Sequence, residues 1–287
     1  MNNQKHPHTT IVHFLRLTCA VVLPCFIATQ TTKAQDHTIT DNNSSIGLNV
    51  ANGGFGPAGL TSWVVDGVDQ LSRQSFFYRV GSGQEYTLDN ITASPLVNLS
   101  GNNIEVTYAN ASFGIKLSYT LQGYAAGTGR SGATLGINLI NYQASPLDFH
   151  LFQYSDFDLG GTTGSESVTF LKALGKFNRA AQTSGSLWMT NTFVGTAIPN
   201  PTPQVEANTF NATLLSFTDL SQTTLNSLST NAGPGNVTYA IQYDLLLNAG
   251  ESFALSEQFS MAVPEPTSAG LILIAAGCLA LGYRKKS

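Results

Sequence analysis

Alternation is the feature of this chain that most limits its fold. Apolar side chains fall at every second position along Ile104, Val106 and Tyr108, then Phe113, Ile115, Leu117, Tyr119 and Leu121, then Leu135, Ile137 and Leu139. A period of two places such residues on one face of an extended strand. Gly and Asn punctuate the runs, and Asn110-Ala111-Ser112 reads as a hairpin turn. Long helical periodicity is missing. Many strands joined by Gly-rich turns predict an all-β fold, a β-sandwich of jelly-roll-like or related topology. No repeat of solenoid or propeller period interrupts that reading.

Local patterns add detail. The clearest hairpin joins residues 237–247 to 252–261 through Asn248-Ala249-Gly250-Glu251, with Phe253, Leu255, Phe259 and Met261 facing inward. One or two short helices are expected. Asp219 can cap a turn or two that buries Leu220, Leu225 and Leu228. Residues 172–182 read as a short helix or a loop excursion. Pro199, Pro201 and Pro203 stiffen a connection over 200–208 that crosses the sandwich. Residues 52–57, Asn-Gly-Gly-Phe-Gly-Pro, are a flexible loop without the Lys-Ser/Thr of a phosphate loop.

The two ends differ from the body. Lys5, three histidines and Arg16 precede a short apolar run over residues 17–28, broken by Pro24. Thr32-Lys33-Ala34 then offers small residues at −3 and −1 of a cleavage between Ala34 and Gln35. This predicts a signal peptide and helix over residues 1–34. At the other end, residues 268–283 carry no charge, and Arg284, Lys285 and Lys286 follow. A helix of that length spans about 24 Å, marginal against a bilayer core of about 30 Å. The basic tip is a positive-inside stop. Physics alone therefore predicts an exported domain over residues 35–262 and a tail over 263–287 with a transmembrane helix at 268–283.

Composition sets what the exported domain can be. Only 10% of the chain is charged, against about 25% in ordinary soluble domains. Between the two ends lie seven Lys and Arg against sixteen Asp and Glu, a net charge of −9. Such a body lacks the basic footprint that nucleic acid requires. Cys19 and Cys25 fall in the leader and Cys278 in the tail. The body thus has no disulfide, thiolate zinc site or cysteine nucleophile.

Val263-Pro264-Glu265-Pro266-Thr267, the apolar stretch 269–282 and Arg284-Lys285-Lys286 together resemble the PEP-CTERM sorting domain of Gram-negative bacteria. The resemblance covers about 25 residues. It implies recognition of Pro264, Glu265 and Pro266 by an exosortase, export across the inner membrane to the cell envelope, and association with exopolysaccharide and biofilm matrix. Two prolines fix an extended, unpaired backbone suited to a protease groove. Gly235-Asn236-Val237-Thr238-Tyr239-Ala240 and Gly250-Glu251-Ser252 also resemble the last strand pair of many such proteins.

Candidate chemistry is sparse. The body holds two histidines, His37 beside the expected cleavage and His150 in a strand. A Ser-His-Asp triad would depend on His150 alone. Along residues 147–159 the even positions carry Asp148, His150, Phe152, Tyr154, Asp156 and Asp158. Period-two geometry gathers them on one face. Asp148, His150, Tyr154, Asp156 and Asp158 could hold sugar or a calcium ion, since hard cations want carboxylate oxygens; the alternative is a solvated outer face. Asp66 and Asp69 flank Gly67 as a turn. The function expected is structural or adhesive, in polysaccharide matrix, without a cofactor. The alternatives are a carbohydrate-binding module and a polysaccharide-acting hydrolase.

Overall fold

The computed structural model describes residues 36–51, 57–195 and 202–263. They fold as two antiparallel sheets of nine strands each. The first contains β1 (Asp36–Asp41), β2 (Ser44–Asn49), β3 (Gly59–Val65), β4 (Val68–Asp69), β5 (Leu71–Val80), β6 (Tyr86–Thr87), β11 (Leu147–Phe157), β15 (Gln204–Thr209) and β17 (Val237–Leu247). The second contains β7 (Leu96–Ser100), β8 (Asn103–Ala109), β9 (Phe113–Gly123), β10 (Arg130–Asn141), β12 (Glu166–Ala173), β13 (Lys176–Ser184), β14 (Leu187–Gly195), β16 (Asn231–Gly235) and β18 (Ser252–Ala262). The first sheet runs β1-β2-β3-β5-β11-β17-β15, with β4 on β3 and β6 on β5; the second runs β16-β12-β13-β14-β18-β10-β9-β8-β7.

The expected all-β sandwich follows from the alternation. Ile115, Leu117, Tyr119 and Leu121 of β9 and Leu135, Ile137 and Leu139 of β10 are buried in one core with Phe149 and Leu151 of β11 and with Ile241 and Tyr243 of β17. Asn110 closes the β8–β9 hairpin, its Oδ1 accepting the Ser112 and Phe113 N–H groups. Trp63 is fully buried; its Nε1 donates to Ser131 Oγ at 2.9 Å, and its ring lies 5.9 Å from that of Phe259. Asp66 and Gly67 take positive φ between β3 and β4, as the expected turn requires.

Four local expectations are corrected. Residues 237–247 and 252–261 are strands, with the inward set as expected, but they are not a hairpin. β17 pairs with β11 and β15 in the first sheet, whereas β18 pairs with β10 and β14 in the second. The Asn248–Glu251 turn carries the chain from one sheet to the other, which alternation cannot reveal because both strands face the same core. Residues 172–182 belong to the β12–β13 hairpin, which turns at Leu174-Gly175 with φ 53° and 80°. The described part of the Pro-rich connection includes β15, an edge strand paired with β17, and Pro203 sits just ahead of it, where no ladder N–H is needed. His37, which the cleavage reading leaves near the free start of the mature chain, pairs with Leu48 across β1 and β2.

The helix also lies elsewhere. α1 (Ala212–Thr218) ends where Asp219 was expected to begin one. Asp219 is its extended C-cap, and Asp219 Oδ1 accepts the Ser221 N–H at 2.7 Å, an Asx turn that leads the chain away. Leu220 and Leu228 are each 84% exposed, while Leu225 is buried.

Among the described residues no helix is long and apolar enough to cross a membrane. The signal segment 1–34, Ala34 and Gln35, the loop residues 52–56, the motif Pro264, Glu265 and Pro266, the segment 268–283, and Arg284, Lys285 and Lys286 lie outside the described residues.

Candidate functional site

β5, β11 and β17 run side by side, and their register builds the outer face of the first sheet. His150 stands between Arg79 and Asp244, Phe152 between Phe77 and Gln242, Tyr154 between Ser75 and Ala240, and Asp156 opposite Arg73. Three environments follow from that order.

The rim is a hydrogen-bonded network. His150 Nδ1 lies 2.5 Å from Asp244 Oδ1. A carboxylate only accepts, so the imidazole donates from Nδ1. Gln242 Nε2 donates to Asp244 Oδ1 at 2.6 Å and Gln204 Nε2 to Asp244 Oδ2 at 2.8 Å. Partial burial works to raise the Asp244 carboxyl, but the bonds from His150, Gln242 and Gln204 outweigh it and hold that carboxyl below its usual range. His150 Nε2 faces Asp148 Oδ1 at 3.6 Å. The side chains of Asp148 and Asp244 are 59% and 41% exposed, with that of His150 seated between them at 15%.

One row inward the face is sealed. Phe77, Phe152, Tyr154 and Ala240 are fully buried with Phe217 of α1 and with Leu225. The Phe217 ring lies 5.1 Å from Phe152 and 5.3 Å from Phe77. A buried ion pair ties down this cover. Arg79 Nη1 meets Glu85 Oε1 at 2.5 Å. The same guanidinium donates to Thr223 O, and Glu85 Oε1 accepts the Thr223 N–H at 3.0 Å. Gln242 Oε1 accepts the Leu225 N–H at 2.7 Å.

The far end is acidic. Asp156 is buried, and its carboxyl is pushed up to about 7, first by burial and then by the charge of Asp158. Burial and Asp69 raise Asp158, and burial and Asp158 raise Glu166, against bonds from nearby N–H groups.

The expected face is therefore divided. Asp148 and His150 come together at the rim. Asp156 and Asp158 belong to the acidic end with Glu166. Tyr154 is sealed between them under α1, so the five residues do not share one open surface. Among the described residues no three His, Cys, Asp or Glu side chains are grouped to hold a metal ion. Sequence reading missed Asp244, Gln242 and Gln204. The visible signal was a carboxylate interrupting the apolar run Tyr243-Asp244-Leu245-Leu246-Leu247; its alignment with His150 exists only in the β11–β17 register.

A two-sheet sandwich of this kind has solved counterparts. The chain is similar in fold to a bacterial glucoamylase complexed with acarbose, at 12% identity and TM-score 0.54, covering 85% of this chain and 35% of the glucoamylase. It spans only about a third of that protein's length. It is also similar to a galactose mutarotase-like protein from Lactobacillus casei, at 9% identity and TM-score 0.50, covering 79% of this chain and 99% of that one. No protein-family profile and no curated protein sequence matches the chain.

Proposed function

We propose that this is an exported cell-envelope protein, addressed by its C-terminal tail to an exosortase, whose sandwich contacts polysaccharide by binding rather than by catalysis. The observation that carries the binding reading is the Asp244 rim. Three donors hold Asp244 ionised on an exposed edge beside His150, Asp148 and Gln204. An ionised carboxylate accepts hydrogen bonds from sugar hydroxyls, whereas a glycosidase acid must keep a proton to donate. Asp156, whose raised carboxyl could keep one, is buried. One fold neighbour is a glucoamylase with acarbose and the other is named galactose mutarotase-like, which supports sugar as the ligand class.

One structural detail supports the tail reading. β18 ends at Ala262, and Val263 N–H donates to Gly129 O at 2.6 Å. Pro264, next in the sequence, has no N–H to donate.

Asp244→Asn keeps the side-chain shape and removes the charge. It is expected to weaken polysaccharide binding by about tenfold, the scale of a charge-assisted hydrogen bond; affinity electrophoresis with a thermal melt alongside reads this. Unchanged retardation would remove the rim from the account. For the tail, the mature protein is expected to have lost the mass of the residues after the motif, and Glu265→Ala to retain it. Recovery of peptides ending at Ser287 from the mature wild type would instead mean a plain anchor.

A further inference from the structure

A recess of about 310 Å³ opens on the outer face of the second sheet, away from the His150 rim. That is within the size of ligand pockets, which start at roughly 300 Å³. It lies across β9, β10 and β18, and register explains its shape. Thr120, Thr134 and Gln258 form one row, and Gln122, Gly132 and Ser260 the next. Gly132 leaves the middle of its row without a side chain, so the backbone is the floor. A Cβ built there would come within 3.2 Å of Phe259 O. On the other side of the Thr120 row the gap is repeated, with Gly136 between Ser118 and Ser256. Tyr124 stands as a wall, with the Arg130 guanidinium 4.9 Å from its ring centroid.

The lining has a definite chemistry. None of the residues around the recess is charged. They offer primary amides, hydroxyls and one phenol. Among the described residues, no hydrogen bond occupies the side chains of Gln122, Thr134, Gln258 or Ser260. Amides and hydroxyls pair well with groups that both donate and accept, and an aromatic wall suits the apolar face of a pyranose ring. Among the lining residues themselves a charged ligand would find no counter-ion, and the neighbouring Arg130 guanidinium is already stacked on Tyr124.

The geometry points to a second glycan site in this recess, taking an uncharged stretch of polysaccharide. The inference rests on the reading of the protein as a polysaccharide binder, and it assigns a ligand class and a place that the Asp244 rim does not. Gln122 and Gln258 bond the sugar hydroxyls from opposite sides of the Gly132 floor, and Tyr124 packs against a ring.

The test is calorimetric titration of the full-length chain in detergent with neutral hexasaccharides (gluco- and manno-configured) and with an alginate hexasaccharide. Gln122→Ala with Gln258→Ala is expected to weaken neutral binding by about tenfold, as the loss of two hydrogen bonds implies. Ser260→Trp, which fills the recess from a half-buried strand position, is expected to do the same. If both recess variants bind neutral sugars as the wild type does while Asp244→Asn abolishes binding, this inference falls and the rim stands. If only alginate binds, it falls as well. If no oligosaccharide binds any form, the parent reading falls with it.

Discussion

Between pH 5 and pH 8 the sandwich is expected to lose stability, and Glu257→Gln is expected to restore much of what is lost. Glu257 lies on the inward face of β18, where alternation calls for an apolar residue. It is fully buried, and burial pushes its carboxyl up to about 7 even though the bond from Asn191 works to lower it. Asn191 Nδ2 donates to Glu257 Oε2 at 2.8 Å. The unfolded chain titrates this group near 4.3. Between that value and about 7 the folded state holds more protons than the unfolded state, so stability falls as pH rises. The contribution is fully present below the unfolded value and gone above about 7. For Glu257 it amounts to about 3 kcal/mol. Asp156, also raised to about 7, acts in the same direction. Asp244 acts oppositely: its lowered carboxyl loses its contribution only as pH falls below the ordinary Asp range of about 3.9. Thermal unfolding should therefore be most resistant in mildly acidic buffer. Glu257→Gln keeps a neutral hydrogen-bonding group, so it should match the wild type near pH 5 and exceed it clearly at pH 8. A wild-type melting temperature that is level or rising from pH 5 to pH 8 would overturn this.

Glu85→Ala is expected to cost about 3–5 kcal/mol, because it strands the buried Arg79 charge. The loss should be regional first. Arg79 and Glu85 jointly hold the backbone of Thr223, and Thr223 leads directly to Leu225 in the cover over Phe77 and Phe152. Releasing it should expose residues 219–230 to protease before the sandwich unfolds. Arg79→Met combined with Glu85→Leu removes both charges and should be milder than Glu85→Ala alone. Chemical denaturation of the three forms decides this; a double variant less stable than Glu85→Ala would show that the pair stabilises by more than mutual neutralisation.

The layer architecture was legible because burial and strand period are local properties. Phe113 to Leu121 could face only one way, and Phe253 to Met261 likewise. Sheet membership was not legible. β17 and β18 look like a hairpin by every local sign, yet the Asn248–Glu251 turn carries the chain between sheets. The site suffered from the same limit. Asp148 and His150 were found from period two, but Asp244 needed the pairing of two strands nearly a hundred residues apart. The split of the 147–159 face needed α1, whose short apolar pattern of Leu214 and Phe217 is too brief to declare itself. Phe152 and Tyr154 carried a hint: apolar side chains on the supposedly solvated face imply a cover on that side too.

The sandwich is proposed above to hold polysaccharide. The most direct measurement is affinity electrophoresis of the full-length chain through gels containing neutral or acidic polysaccharide, with and without chelator. Retardation by at least one polysaccharide is expected, unchanged by chelator and reduced in Asp244→Asn. Equal mobility in every gel would contradict it.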